Sequence, residues 1–475
     1  MTATFLMNIT HGFQARMFLR TTICEELQRH GARIVVATPN ADEPYFKQEM
    51  DALGVEVEQI PRFPTRAERV ITGMRQYLLM NPKLGGTLNY KRERQKREMP
   101  VRYRLARAGN LVLGRSMRLR QAYLDAEARM FDGAEFDEML QRIQPDLVIA
   151  GTPGVHPADA HILRAAKRAD IPSATLMLSW DNLTSKGYMA ANPDNLLVWS
   201  PLMAQEALTY HDYDGNIVEV GAAQFDHYPA FRRGTLDRRV AKEQLGVPPD
   251  MKLLTFGTIN RGIYKEQLKD LSRLVDTLQT DEKYADCFLW VRLHPQSVVG
   301  APEDELAWLQ DLEARSDRIR VEFPEVRSAV LAWDLPKSDI DHLARLLGAS
   351  DIVLVPRSTL TIDASCVDVP VINLAIDPEF KKGFNYTHYK NIVRSGGAWI
   401  ANSHRELLWA IERYLLNPDL HSEGRARIVK QQLGTHLGRA GQQTAHALLQ
   451  LCGVDVDVDT SVDTTQDAPA TSRSA

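Results

Sequence analysis

Cysteine is scarce, with four residues in a chain of 475, Cys24, Cys287, Cys366 and Cys452. No two stand in a CxxC spacing, which argues against a disulfide framework and a thiolate metal site and points to structural thiols in a reducing, cytosolic compartment. Long hydrophobic runs are also missing: no uninterrupted apolar stretch approaches the roughly 18 residues of a membrane span. The N-terminus MTATFLMNIT lacks a basic segment and a cleavage site, so no signal peptide is expected and the protein is placed inside the cell. Net charge is only −4, which gives no global signal for nucleic acid. A GxGxxG fingerprint is absent, and no His, Asp and Glu stand at metal-ligand spacing. Neither a cofactor nor a metal is expected.

What is present is an ordinary globular composition, 44% apolar and 25% charged, at a length that suits two domains with full cores. The most informative stretch is Asp351 to Leu374. An apolar β-branched run, Asp351 to Pro356, gives way to Arg357, Ser358 and Thr359, then to a helix from about Thr361, then to a second apolar run, Val369 to Leu374. This is the pattern of a βαβ unit in a parallel sheet. Ser358 and Thr359 sit where free backbone N–H groups and the helix dipole favour an anion such as a phosphate, and Asp363 is placed to accept hydrogen bonds from a ribose. The alternative is simple helix capping by the hydroxyls, with Asp363 favouring the dipole.

The same pattern opens the chain. Strands at Phe5 to Thr10, Arg33 to Pro39 and Val55 to Pro61 flank a helix expected from about Ala15 to His30. The first turn carries His11 and Gly12, with Arg16 close behind; His11 and Arg16 are expected to face an interdomain cleft, or His11 to be structural. Residues 62–120 then depart in composition, with 16 Lys and Arg against three acids. Interleaved Tyr and Leu residues there predict a basic helical insertion. It would meet an anionic membrane or acceptor, or pair with acids elsewhere in an otherwise acidic chain. The parallel pattern resumes at Asp146 to Ala150 and at Ser173 to Leu178. That second strand delivers Ser179 to Gly187, in which Asp181, Asn182 and Lys186 crowd together at a carboxyl end. Asp181 reads as a base beside phosphate or sugar donors, or as the acid of an Asx turn next to Trp180.

Residues 1–226 are expected to form a first domain and 227–239 a linker. Residues 240–452 are expected to form a second domain, and 453–475 a disordered acidic tail. In the second half Gly257, Thr258 and Arg261 lie in a glycine-bounded loop after a strand. Arg292 and His294 end the strand before Pro295, His294 being either functional or a satisfied core histidine. Two doubly wound, Rossmann-like α/β domains with polar loops at facing carboxyl ends make a cleft enzyme.

The order of glycine-loop strand, RLHP strand, DIVLVPRST helix, VPVI strand and AWI strand resembles the nucleotide-binding half of GT-B glycosyltransferases. VEVGAAQFD, ending at Asp226, is similar to the G-x-x-x-x-D close of the first domain in that superfamily. Within it the chain looks most like the CDP-glycerol glycerophosphotransferase group. Asp363 stands seven residues before Pro370 as that group's acid does, and Trp180 and Lys186 match the ends of its Trp-His-Gly-Thr-Pro-Leu-Lys loop. Asp181 stands where that group keeps its catalytic histidine. The fold is also that of non-hydrolysing UDP-sugar 2-epimerases. The resemblance implies transfer of a sugar or glycerophosphate from a nucleotide-diphospho donor to a carbohydrate or lipid-linked acceptor of the cell envelope. It implies that the first domain is the acceptor side and that the second binds the donor. It places the enzyme in the cytoplasm, with residues 62–120 available for peripheral attachment to the inner face of the membrane. Backbone N–H groups near Gly257, Ser358 and Thr359 would hold the diphosphate and Arg292 or Arg261 would neutralise it. Asp181 would take the acceptor proton and His294 would aid the leaving group. The alternatives are an epimerase and a non-catalytic nucleotide-sugar-binding protein.

Overall fold

Short runs rich in Val, Ile and Leu, buried on both faces, become the strands of two all-parallel sheets, as strands covered by helices on each side require. The computed structural model describes residues 2–61, 65–298, 301–328 and 330–456. The first sheet holds β1 (Thr4–Asn8), β2 (Arg33–Thr38), β3 (Glu56–Gln59), β4 (Leu147–Ala150), β5 (Ser173–Leu176), β6 (Asn195–Val198) and β7 (Asn216–Glu219), in the order β3-β2-β1-β4-β5-β6-β7. The second holds β8 (Lys252–Gly257), β9 (Cys287–Arg292), β10 (Ile319–Glu322), β11 (Ile352–Val355), β12 (Val371–Leu374) and β13 (Ala398–Ala401), in the order β10-β9-β8-β11-β12-β13. Phe5 of β1 pairs with both Ile34 and Leu147, and Leu254 of β8 with both Leu289 and Ile352. The strand order therefore reverses beside β1 and beside β8, and such switch points open crevices at the carboxyl ends of the strands. The expected pair of doubly wound units is present.

Two boundaries differ from expectation, each for a local reason. The helix expected over residues 15–30 is two, Gly12–Phe18 and Ile23–Arg29. Between them Thr21 donates its hydroxyl to the Met17 carbonyl at 2.7 Å and Arg20 leaves the helical path. The segment 227–239 is more than a linker, since Tyr228 is fully buried in a short 3-10 turn, Tyr228–Phe231. The end of the chain is a helix pair, Ser422–Leu433 and Ala440–Leu451, broken at Gly434 with φ of 69°. The second of these crosses back, so the core of the first unit includes Ala445, Leu448 and Leu449 beside Phe5, Ile23 and Leu27. Asp226 caps this helix start, accepting the N–H groups of Gly438, Ala440 and Gly441 at 2.9, 3.0 and 2.7 Å. The acidic tail from residue 457 lies outside the described residues.

The insertion is helical, as expected: Arg66–Leu78, Gly85–Glu98, Pro100–Leu113 and Met117–Met130. Part of its charge is paired, Arg75 with Glu127 on the last of these helices and Arg120 with Asp212 outside them. The helix Gly85–Glu98 also bridges the units. Thr87 bonds Thr387 at 3.2 Å, Tyr90 packs on Tyr386 at 4.8 Å, and Arg97 pairs with Glu379.

A second bridge comes from the loop after β10. Its Asp334 is buried and accepts from Arg20 at 2.6 Å and from the Tyr45 hydroxyl at 2.7 Å. Gly12 donates its N–H to the Leu331 and Ala332 carbonyls at 2.5 and 3.1 Å. A side chain at Gly12 would place its Cβ 2.4 Å from the Asp334 nitrogen, so only glycine admits this approach. Replacing Arg20 with Met should cost roughly 3–5 kcal/mol, because Asp334 would stay buried without its cation. Denaturant unfolding measures this. A loss below about 1 kcal/mol would mean that the pair behaves as a solvated surface bridge.

Candidate functional site

The loops after β1, β4, β9 and β10 meet between the two sheets and bring three histidines around one tryptophan. Trp333 packs edge-on to His11 at 5.0 Å and to His294 at 5.2 Å, and His156 lies 5.4 Å from His11. Ala332 and Trp333 are both held in the left-handed region, with φ of 39° and 58°. Such backbone costs about 1–3 kcal/mol per residue and persists only where its surroundings impose it. Here the Gly12 and Asp334 contacts do so, and the result aims the indole into the cleft.

The three rings are neutral at pH 7. Burial first, then His156 and Lys186, pushes His11 down to about 3. Burial and then Lys186 take His156 to about 4, and burial alone takes His294 to about 4. Their tautomers follow from the backbone. His11 Nδ1 accepts the Phe13 N–H at 3.1 Å and His294 Nδ1 accepts the Gln296 N–H at 3.2 Å. Both rings therefore present an Nε2–H donor. His156 has no hydrogen bond to either ring nitrogen among the described residues, which leaves a lone pair free. Sequence reasoning singled out His294 by its strand-ending His-Pro pair and passed over the same signature at His156–Pro157. Trp333 carried no signal at all.

The loop Ser179 to Gly187 stands beside these rings, but its acid is not built as a base. Asp181 accepts from the Ser179 and Ser185 hydroxyls at 2.8 and 2.6 Å and lies 3.4 Å from Lys186. Burial opposes its ionisation, yet Lys186, His388 and the two hydroxyls prevail and hold the carboxyl well below the usual range. A carboxylate so stabilised has little affinity for a proton, which corrects the base role suggested by sequence. Asn182 is buried and Lys186 half-exposed. Trp180 packs on His388 and Tyr389 of the second unit at 4.8 and 5.6 Å. The insertion reaches this loop as well: Lys91 donates to the Ser185 carbonyl, and burial, followed by Lys186, brings it down to about 8.

The residues expected to meet a donor divide into those committed to the scaffold and those left open. Arg292 is buried between Glu322 and Asp339, the latter at 2.7 Å, so its charge is already compensated and it is structural. Arg261 pairs with Glu305 at 2.8 Å on the rim. Gly257 faces Leu360, and the Thr258 hydroxyl accepts the His294 N–H at 2.8 Å, which holds the histidine loop. Asp363 is buried and its carboxylate accepts the Tyr228 hydroxyl at 2.5 Å; burial raises it, while Tyr228 and Arg16 oppose. Ser358 and Thr359 remain partly open at the helix start, and the Thr359 side chain makes no capping bond.

Two guanidinium groups stand apart from these. Arg16 lies on the helix after β1 and Arg357 follows β11, each at the carboxyl end of a central strand. Neither has an ion pair among the described residues. The Nε of each is buried without a hydrogen-bond partner, as is the Trp333 indole nitrogen. Arg357 stacks over Phe380 and Tyr386 at 5.4 and 4.6 Å, which fixes its plane.

The unfolded rings bind protons below about pH 6.5, whereas His11 folds with a pKa of about 3 and His156 and His294 with about 4. Their contribution to stability is therefore complete above pH 6.5 and is lost as pH falls toward 4 and 3. Imidazole NMR of the selectively labelled protein should show these three rings neutral and unchanged between pH 7 and about 5. A titration near 6 in any of them would contradict this environment.

No protein-family model matches the chain, and no curated protein matches it in sequence. Solved structures do match in fold. The S. aureus MnaA–UDP structure superposes with a TM-score of 0.56 at 10% identity, covering 96% of this chain and 98% of that one. UDP-GlcNAc 2-epimerase from Neisseria meningitidis, bound to UDP-GlcNAc, gives 0.55 at 10% identity over 95% and 100%. A glycosyltransferase from Rickettsia africae gives 0.52 at 11% identity over 95% and 98%. The chain has the two-domain, GT-B-like α/β fold.

Proposed function

We propose that this chain is a nucleotide-sugar-using enzyme that moves a sugar or glycerophosphate from a nucleotide-diphospho donor to an acceptor hydroxyl in cell-envelope polysaccharide or glycolipid synthesis. The observation that carries the reading is the pair of unpaired cleft cations. Buried charge is costly without a partner, and the deeply buried arginines have one: Arg20, Arg75, Arg120, Arg292 and Arg425 each meet a carboxylate. Arg16 and Arg357 are half-buried with their Nε shielded from solvent, and neither has a carboxylate within ion-pair distance among the described residues; a diphosphate would supply the missing anion. Ser358, Thr359 and the Nε2–H groups of His11 and His294 add uncharged donors. The structures similar in fold hold UDP or UDP-GlcNAc in the same architecture, which supports such a donor.

In this scheme the acceptor hydroxyl attacks the donor carbon or phosphorus, and the bond to the nucleotide side breaks. The hydroxyl proton passes to the free nitrogen of His156. The leaving group's charge falls to Arg16, Arg357 and the histidine donors. An anion bound beside His156 raises its proton affinity, which moves a ring at about 4 toward the working range. Asp181 and Lys186 order the acceptor loop. The likeness to 2-epimerases favours a second reading, conversion of the donor with no acceptor.

Titration calorimetry with UDP and CDP tests the donor site. Arg16→Ala and Arg357→Ala should each bind the preferred nucleotide roughly 10- to 100-fold more weakly, the range of a lost charge-assisted bond. His156→Gln should keep that affinity and lower turnover by roughly 10²–10⁴, with Asp181→Asn affected far less. Unchanged nucleotide affinity in both arginine variants would overturn the donor site. Donor consumed in the absence of acceptor would select the epimerase.

The acceptor is proposed to be membrane-borne, because the insertion presents an apolar stripe to solvent. Val101, Leu105 and Val112 lie on one face of the helix Pro100–Leu113 and are 72%, 71% and 59% exposed. Arg104 and Arg107 flank them, and Arg115, Met117 and Arg118 continue the surface. Such a face suits an anionic lipid surface, into which the apolar residues insert while the arginines meet headgroups. No helix among the described residues is long and apolar enough to cross a membrane. Binding to vesicles containing phosphatidylserine should fade with added salt and be abolished by Val101→Asp with Leu105→Asp. Equal binding to neutral vesicles, or none at low salt, would overturn this surface.

A further inference from the structure

On the far side of the first unit, away from the cleft, the returning C-terminal helix completes a cluster that no stretch of sequence contains. Glu26 and His30 are four residues apart on the helix Ile23–Arg29 and its C-terminal cap, so they share one face. His446 comes from the helix Ala440–Leu451 packed against it. One ligand atom from each of the three lies within 4.8 Å of the others. Glu26 Oε1 is 3.2 Å from His446 Nε2 and 3.6 Å from His30 Nε2. Zinc bonds of about 2.0–2.1 Å in a tetrahedron put ligand atoms roughly 3.3 Å apart, so these two edges are close to those of a tetrahedral site.

The donor set is chemically coherent. Two imidazoles and one carboxylate are the ligands of zinc and its late first-row neighbours, not of magnesium or calcium, which prefer all-oxygen shells. The second carboxylate oxygen, Oε2, accepts from Arg29 at 2.7 Å, and Arg29 is in turn neutralised by Glu25 at 2.6 Å. That outer contact turns Oε1 toward the two rings, as second-shell partners orient metal ligands. His446 and Glu26 are buried, while about a third of the His30 side chain is exposed, which leaves an entry path and a fourth position for water.

We infer that Glu26, His30 and His446 form a zinc site that staples the C-terminal helix to the N-terminal unit. Each ring would bind through Nε2 with its proton on Nδ1, and Glu26 through Oε1. The ion would replace the direct Glu26–His446 hydrogen bond. Because the helix Ala440–Leu451 is the segment that crosses back from the second unit, the site would tie the two units together from behind the cleft.

The test uses the full chain after chelation and dialysis. Calorimetric titration with Zn²⁺ should show one ion per chain with a raised thermal midpoint, and Mg²⁺ should do neither. His30→Ala changes a partly exposed side chain and should fold normally; with His446→Ala it should lose about 10-fold or more of the affinity. Co²⁺ should give the visible bands of a tetrahedral N/O site in the wild-type chain, and these should vanish in His30→Ala. Because the cleft also holds histidines, His156→Ala serves as the control and should bind Zn²⁺ as the wild type does. Absence of zinc uptake, uptake equal in His30→Ala and the wild type, or loss in His156→Ala alone would each overturn the site. In those cases Glu26 and His446 would be a plain interhelical hydrogen bond.

Discussion

The buried ion pair between Arg20 and Asp334 is the constraint on which the cleft depends. Arg20 comes from the break between the first two helices and Asp334 from the loop after β10, so the pair joins one unit to the other with little water at the contact. An unpaired charge at either end would be strongly unfavourable, which makes the docking all-or-none. Once Asp334 is seated, the preceding residues have nowhere to go but over Gly12, in left-handed backbone, with Trp333 projecting between His11 and His294. The local strain at residues 332 and 333 is offset by the pairing of residue 334 and the hydrogen bonds at Gly12. The position of the catalytic-looking rings is thus a consequence of an electrostatic contact one residue away.

Charge compensation also separates scaffold from site. Arg292 and Arg261 look on paper like ligand-binding cations, yet each is matched to a carboxylate by the surrounding fold. Arg16 and Arg357 are held just as firmly, one near Phe13 and the other against Phe380 and Tyr386, but without a matching acid at ion-pair distance. Neither guanidinium has a carboxylate within ion-pair distance among the described residues, although Arg16 lies near enough to the buried Asp363 to oppose the rise that burial imposes on it. The three histidine rings near Trp333 are neutral, so they bring donors and a lone pair to the cleft without adding charge.

The basic insertion serves two purposes along its length. Its helix Gly85–Glu98 uses Thr87, Tyr90, Lys91 and Arg97 to reach the second unit and the loop Ser179 to Gly187. Its outer helices turn Val101, Leu105 and neighbouring arginines to solvent. Net charge alone could not distinguish these, because a lysine in a packed contact and an arginine on an open face count equally. Helical periodicity could, once the packed face was known.

Much of the fold was legible before any coordinates. Alternating apolar runs and helices with polar loops at strand ends dictate parallel sheets, because buried β-branched strands need crossover helices on both faces. The switch-point loops carrying His11, His294 and Ser358 followed from that alone. The roles within the loops did not follow. Asp181 reads as a base until Lys186 and two hydroxyls are seen around it, and Arg292 as a phosphate ligand until Glu322 and Asp339 are. His156 had the right signature and was missed, while Trp333 had none. The sequence by itself determined the parallel α/β layers and the polar loops at the strand ends, since these depend on local periodicity and on chirality. Only the tertiary structure decided which charges are compensated, which ring nitrogens are free, and that Glu26 meets His446 from the other end of the chain. Those properties depend on distances between residues far apart in sequence, and an electrostatic interaction that weakens with distance and strengthens with burial leaves no trace in the order of the amino acids.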